Sequence, residues 1–491
     1  MQLTLERHAG VPIYRQIVNQ LRDQIHAGGL PRGSRLPPVR ALASDLGLTR
    51  LTVHSAYAEL QALGLVEAHV GRGTFVAADV QAVPELPPER EAAPWVSQNI
   101  LANLLSHRDR ENFLSFAQAF PAPDTYPRRE IGRALQATLM GQDGLGYGHI
   151  QGEPELRETL SALLLDRGLK TSADDVLITS GAQQGIDVAL RALTGPGDVI
   201  LVEEPVYPGV LELAAQRGQR VVGIPNVNGE LNTDALETAC RAHRPRLLYL
   251  VPTHNNPTGR TLTEAGRRAV LQMATTHDFL VLEDDTYGWL GFEQPAPSAL
   301  KSSDSDDRVV YITSFSKILA PALRLGAIVA PASRLHALAA TKQSSDLVCS
   351  TLMQRALAHY IQHGLLATHL VDVRSFYLER RDAMIDSLQR HLSRCTWTCP
   401  EGGLSLWVEL PAQVIERDFT IDALQQGIGI VPGVAFFAEP RRQAAMRLSF
   451  GGNSPERIEQ GTAVLGRVLE SHLARHDGMS PLQSGAAGPL A

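Results

Sequence analysis

Lysine is almost absent from this 491-residue chain: of 45 basic residues only Lys170, Lys301, Lys317 and Lys342 are lysine. Cysteine is also scarce, limited to Cys240, Cys349, Cys395 and Cys399. Cys395 and Cys399 have no second pair and no histidine at zinc-ligand spacing, so no metal site is expected, and the four read as reduced thiols of a cytoplasmic protein. No run approaches 18 apolar residues, which argues against a membrane-spanning helix. The first twenty residues carry Glu6, Arg7 and Arg15 and no apolar core, so no secretory signal is expected. What remains is a globular composition, 44% hydrophobic, with length for two or three domains.

The charge is uneven. Residues 1–78 hold eight arginines and five acids, a net +3, while the whole chain is −7 and the remainder therefore −10. A small basic module on a large acidic body suits an attached nucleic-acid binder. Within it, Ile13, Ile17, Leu21 and Ile25 recur every four positions and predict a helix over 12–27, with Pro12 in its first turn and Gly28-Gly29 at its end. A short second helix is expected over 39–46. Gly47 makes the turn, and Thr49 caps a third helix running to about Leu63. Gly64-Leu-Val-Glu and Phe75-Val76-Ala77 flank a glycine-rich basic tip, Gly71-Arg72-Gly73-Thr74. Three helices, a tight glycine turn and a two-stranded wing make an α+β winged helix-turn-helix over 1–78.

Residues 79–111 read as a linker stiffened by Pro84, Pro87, Pro88 and Pro94, with some helix near 97–107. From about 112 to 477, near-continuous apolar strands alternate with helical stretches: Val176–Thr179, Val199–Val202, Leu247–Val251, Leu280–Glu283 and Val309–Thr313. That alternation predicts a mostly parallel α/β sheet, followed after about 335 by helices and a smaller α+β unit. Residues 478–491 are small and polar and are expected to be a disordered tail.

Lys317 stands out in Ser314-Phe315-Ser316-Lys317, with Arg324 seven residues on. Arginine stays protonated, whereas a buried lysine loses its proton and attacks aldehydes. The serine hydroxyls and Arg324 are what a phosphate beside such an aldehyde needs. The pattern reads as a pyridoxal 5'-phosphate (PLP) site with the aldehyde held on Lys317. Asp284, ending its strand, suits the ring nitrogen. Tyr287 and Asn256, the latter in the tight turn Asn255-Asn256-Pro257-Thr258-Gly259, suit the ring hydroxyl. Ser180-Gly181-Ala182-Gln183-Gln184-Gly185 follows a strand and opens a helix, the geometry that backbone phosphate binding needs. Tyr207 is an aromatic at another strand end, suited to stacking on the ring. Ligands bind outside the carboxyl ends of strands in such sheets.

These motifs resemble the fold-type I aminotransferases, especially the subgroup with Asn-Pro-Thr-Gly and Ser-x-Ser-Lys followed by Arg at +7. The resemblance implies backbone contacts of Ala182 and Gln183 to phosphate, aided by Ser314, Ser316 and Arg324. It implies Tyr207 stacked on the ring, Asn256 and Tyr287 on its hydroxyl, and Asp284 on its nitrogen. It further implies that Arg447 binds a substrate carboxylate, and that Tyr147 reaches the neighbouring subunit's phosphate in a homodimer. His149, after Tyr147-Gly148, and the Ala119–Asp124 loop depart from the common pattern.

The head resembles the GntR-type winged helix through Pro12-Ile13-Tyr14, Gly33-Ser34-Arg35-Leu36-Pro37, Arg40-Ala41-Leu42-Ala43, Leu46-Gly47, Thr52-Val53, Gly64-Leu65-Val66 and Gly71–Val76. That family implies Arg40, Thr49, Arg50 and Thr52 at the major groove and Arg72 at the minor groove, with Arg35 as an added phosphate contact. Leu51 replaces a frequent Asn, so the operator sequence does not carry over. A GntR head joined to an aminotransferase-like body resembles the MocR family of bacterial regulators. The expectation is a PLP-dependent regulator of double-stranded promoter DNA that responds to PLP alone or to PLP with a small amino compound. An active transaminase carrying a DNA-binding head is the alternative, since every catalytic-type residue is present.

Overall fold

The computed structural model describes residues 13–26, 30–31, 33–62, 65–69, 73–77, 113–141, 145–227, 229–439, 441 and 443–477. The expected linker and tail, Gly28-Gly29, Gly64, Gly71 and Arg72 lie outside them. The chain divides into two compact units, 1–91 and 92–491.

In the first unit, helices α1 (Ile13–His26), α2 (Val39–Asp45) and α3 (Arg50–Ala62) precede strands β1 (Val66–His69) and β2 (Gly73–Val76). The two strands pair antiparallel with Val66 opposite Val76. Ile17, Leu21 and Ile25 of α1 interlock with Leu42, Val53, Ala56, Leu60, Leu65 and Val76, all buried. This is the four-residue stripe closing on the other two helices and the wing. Gly47, at φ +63, makes the α2–α3 turn in a conformation that disfavours a Cβ. The hydroxyl of Tyr57 donates to the Pro37 carbonyl at 2.7 Å, tying α3 to the entry of α2.

The second unit opens with β3 (Leu114–Ser115). Its main sheet has strands β4 (Val176–Thr179), β5 (Val199–Glu204), β6 (Arg220–Val227), β7 (Glu230–Leu231), β8 (Leu247–Leu250), β9 (Leu280–Asp284), β10 (Val309–Ser314) and β11 (Gly326–Val329), in the order 4-11-10-9-8-5-6-7. Strands β10, β9, β8, β5 and β6 are parallel, while β11 and β7 run antiparallel. The sheet is thus mixed, although its centre has the expected parallel character. β4, β8, β9 and β10 are buried along their whole length, which explains their near-continuous apolar sequences. A smaller antiparallel sheet follows: β12 (Thr396–Trp397), β13 (Ser405–Glu409), β15 (Val431–Pro432) and β16 (Ala445–Ser449), in the order 12-13-16-15. The remaining strand, β14 (Ile428–Gly429), pairs parallel with β3. Among the described residues no helix is long and apolar enough to cross a membrane.

Candidate cofactor site and winged-helix face

One edge of the large sheet collects the carboxyl ends of β4, β5, β8, β9 and β10. Because β11 is antiparallel to both β10 and β4, its starting end, with Arg324 just before it, lies at the same edge. Residues scattered over 144 positions thereby meet.

Lys317 follows β10 after Ser314-Phe315-Ser316. Phe315 is buried in the core and fixes this turn. The Lys317 amine donates to the Ala119 carbonyl at 2.9 Å and lies 5.0 Å from the centre of the Phe120 ring. Burial, with Arg447 and Arg324 nearby, lowers its pKa to about 8, although Asp284 opposes them. Asp284, the last residue of β9, is buried. Its Oδ2 accepts from the Tyr249 hydroxyl at 2.9 Å, and its Oδ1 accepts from the backbone N–H and hydroxyl of Thr286 at 3.0 and 2.6 Å. Burial raises its pKa, and these three donors oppose the rise.

The phosphate-side group forms around Gly181, which caps the helix Ala182–Leu193 at φ +92. A Cβ there would come within 3.2 Å of the Arg324 guanidinium, so the glycine keeps that approach open. Arg324, itself left-handed at φ +49, donates to the Ser180 carbonyl at 2.6 Å. The Ser316 N–H donates to Ser314 Oγ at 3.2 Å, while the buried Ser316 Oγ has no partner among the described residues. The buried orphan hydroxyl of Ser316, and Arg324 at a helix N-terminus, are groups that a phosphate would satisfy.

On the other side, Arg447 of β16 is buried, lies over the Phe436 ring at 5.2 Å and donates through Nη1 to Asn256 Oδ1 at 3.1 Å. It also donates through Nη2 to the Ala117 carbonyl, and its Nε has no partner among the described residues. Burial lowers its pKa. The Tyr207 hydroxyl donates to Gln183 Oε1 at 2.9 Å, and Tyr287 is buried beside the cluster. Burial raises the Tyr207 pKa to about 12 and that of Tyr287 further, so both stay protonated. Tyr147 sits apart, 91% exposed in the single chain.

Two features were not anticipated from sequence: Tyr249 as the holder of Asp284, and a buried fork joining Arg167 to Asp285 at 2.8 and 3.0 Å just behind it. A tyrosine inside an apolar strand and an arginine at a helix end carry no local signal of either role.

On the winged helix, the Thr52 N–H donates to Thr49 Oγ1 at 3.2 Å, capping α3. Arg40, Thr49 and Arg50 are exposed and Thr52 half-buried, so the helix start is open to a partner. Arg35 is exposed and stacks 6.0 Å from the Phe75 ring of the wing.

A winged helix ahead of a fold-type I aminotransferase body defines a two-part class of protein. The pattern of the family "Aminotransferase class I and II" matches residues 117–465, and that of "Bacterial regulatory proteins, gntR family" matches 13–76. The chain belongs to both families in the MocR-type combination, in which a GntR head and an aminotransferase-like body make a transcriptional regulator. It is 30% identical to the probable rhizopine catabolism regulatory protein MocR of Rhizobium meliloti, over 99% of each chain. It is 33% identical to the HTH-type transcriptional regulator YjiR of Escherichia coli, over 89% of this chain and 94% of that one. The α-aminoadipate aminotransferase of Thermus thermophilus, complexed with N-(5'-phosphopyridoxyl)-L-leucine, superposes with a TM-score of 0.72 at 31% identity, covering 78% of this chain and 98% of that one.

Proposed function

We propose that the chain binds promoter DNA as a homodimer, in the cytoplasm, under the control of PLP and a carboxylate-bearing amino compound. The observation that supports this reading is that Lys317 lies near two separate guanidinium groups. Arg324 is held on the Ser180 carbonyl beside Gly181, and Arg447 is held on Asn256. When bound, PLP supplies an aldehyde that captures amines and a ring that accepts electrons. Burial lowers the Lys317 pKa to about 8, so more of its amine is neutral near pH 7 than in an exposed lysine. Asp284, whose three donors favour its anionic form against burial, would hold a proton on the ring nitrogen. Tyr287 and Asn256 donate to the ring hydroxyl, and Tyr207 packs on the ring face. The Ala182 and Gln183 N–H groups, with Ser314, Ser316 and Arg324, take the phosphate. Arg447 offers its fork to the effector carboxylate. Tyr147, exposed in one chain, reaches the second subunit's phosphate group.

The head carries Arg40, Thr49, Arg50 and Thr52 toward the major groove, with Arg72 at the minor groove and Arg35 on phosphate. Effector binding shifts the dimer between arrangements and so changes how two heads meet spaced half-sites. Fluorescence anisotropy with the DNA upstream of the gene, with and without PLP at fixed salt, tests the reading. Saturable binding above scrambled DNA, altered by PLP, is expected. A second reading, residual transamination, is favoured by the intact Asn256–Arg447 bond beside Lys317 and Asp284. Amino-group transfer from an amino-acid panel to 2-oxoglutarate measures it.

A further inference from the structure

The scarcity of lysine directs attention to Lys342, which is buried and has no place in the site described above. Its amine donates to Asp346 Oδ1 at 2.8 Å, one turn along the helix Ala332–Asp346. The other oxygen of Asp346 faces the phosphate-side turn. It accepts from Gln184 Nε2 at 2.8 Å and from Ser180 Oγ at 3.4 Å. Gln184 in turn accepts the Ser180 N–H on its Oε1 at 2.7 Å. Ser180 is the residue whose carbonyl takes the Arg324 guanidinium. An unbroken chain of bonds therefore runs from Lys342 through Asp346, Gln184 and Ser180 to Arg324.

The backbone at Asp346 is also unusual. The next residue, Leu347, is 59% exposed and sits at φ +58, ψ −71, and the Val348 N–H donates back to the Asp346 carbonyl at 2.7 Å. That is a γ-turn of the rare, strained form, adopted by a mostly exposed leucine. What holds the turn is Asp346, anchored on both carboxylate oxygens. Burial would raise its pKa, yet the bonds from Lys342 and Gln184 outweigh burial and leave the carboxyl below its ordinary range. It remains an anion that accepts on both sides.

We propose that Asp346 is a positioning residue for the cofactor phosphate. It locks the amide of Gln184, which sets Ser180, Gly181 and Arg324 in the geometry that binds the phosphate. Asp346 itself touches no ligand. This inference rests on the cofactor reading given above. Asp346→Asn tests it with little change of volume. An asparagine offers one acceptor and one donor, so either Lys342 or Gln184 faces a donor and loses its bond.

The measurement is the affinity of full-length protein for PLP and for pyridoxal, which lacks the phosphate, read from visible absorbance. In Asp346→Asn the preference for PLP over pyridoxal is expected to fall about tenfold, the scale of one charge-assisted hydrogen bond, with pyridoxal affinity unchanged. Gln184→Met, which leaves the Lys342–Asp346 pair intact, should show the same selective loss and covers the case of an unfolded Asp346→Asn. Parallel weakening of both ligands in both variants would mark a merely structural role and overturn the inference. So would an undiminished preference in both. If the unaltered protein itself gains no affinity from the phosphate, the cofactor reading fails and takes this inference with it.

Discussion

Tyr249 donates its hydroxyl to Asp284 Oδ2 at 2.9 Å from the neighbouring strand. β8 and β9 pair with Tyr249 opposite Leu282, which puts Asp284 two residues further along on the same face. A tyrosine fully buried in an apolar strand therefore favours the anionic form of an acid whose pKa burial raises. Removing its hydroxyl in Tyr249→Phe should raise the Asp284 pKa further and cost about 1 kcal/mol of stability. PLP binding should persist but weaken above neutral pH less than below it, because the anionic carboxylate is then fully formed. A titration of PLP affinity from pH 5 to 9 against the unaltered protein checks this.

Lys317 offers a pH signature in the cofactor-free protein. Its pKa of about 8 in the fold lies below its ordinary value, so between pH 8 and about 10.4 the unfolded chain binds more protons than the folded one. Stability from this group therefore rises with pH through that window, and the penalty is full below pH 8. Lys317→Met should unfold at a higher temperature than the unaltered apo-protein at pH 7, with the gap closing toward pH 10.4. Parallel melting curves across that range would contradict the lowered pKa. The same variant should show no cofactor absorbance.

Much of this site was legible because each residue follows an apolar strand. Lys317, Asp284, Asn256, Tyr207 and the Ser180–Gly185 turn each stand at such an end, and parallel strands carry those ends to one edge. Arg324 was legible by its spacing from Lys317. Tyr249, the Arg167–Asp285 fork and Asp346 were not, because each acts across strands or helices whose neighbours are set by sheet order. Sequence periodicity reports that a strand is buried, but not which strand lies beside it. The antiparallel β11 was missed for the same reason: its apolar run looks like that of a parallel strand.

The Arg167–Asp285 pair gives a sharper stability prediction. Both side chains are buried and joined by two bonds, and Asp285 Oδ2 also accepts from the Tyr311 hydroxyl at 2.8 Å. Arg167→Leu strands the carboxylate in the interior, next to Asp284. A loss of roughly 3–5 kcal/mol is expected. Asp285→Asn paired with Arg167→Leu should recover part of it, since no uncompensated charge remains. Denaturant unfolding of the two variants decides the matter.

Arg447 should separate effector from cofactor. Its fork is already partly engaged by Asn256 and the Ala117 carbonyl, so an incoming carboxylate meets a guanidinium fixed in place. Arg447→Gln should leave PLP affinity within about twofold, while raising the amino-acid concentration needed to perturb the bound spectrum between about tenfold and a hundredfold, the range for losing charged hydrogen bonds. Arg447→Lys should recover little of this, because a single ammonium does not reproduce the fork.

Arg50 opens α3 on an exposed, capped helix start and is the position on which the DNA reading stands or falls. Arg50→Ala should weaken promoter binding and leave the PLP spectrum intact, since the residue belongs to a separate compact unit. The salt dependence tells which kind of contact is lost. If Arg50 neutralises a phosphate, the slope of log affinity against log salt should fall by about 0.9, and scrambled DNA should weaken equally. If it reads a base edge, promoter affinity should drop by about 1–3 kcal/mol while scrambled DNA is unaffected. The capped start of α3 favours the second result, because the first residues of a recognition helix are those that meet base edges. Undiminished affinity of the variant for promoter and scrambled DNA alike would displace the recognition surface from α3.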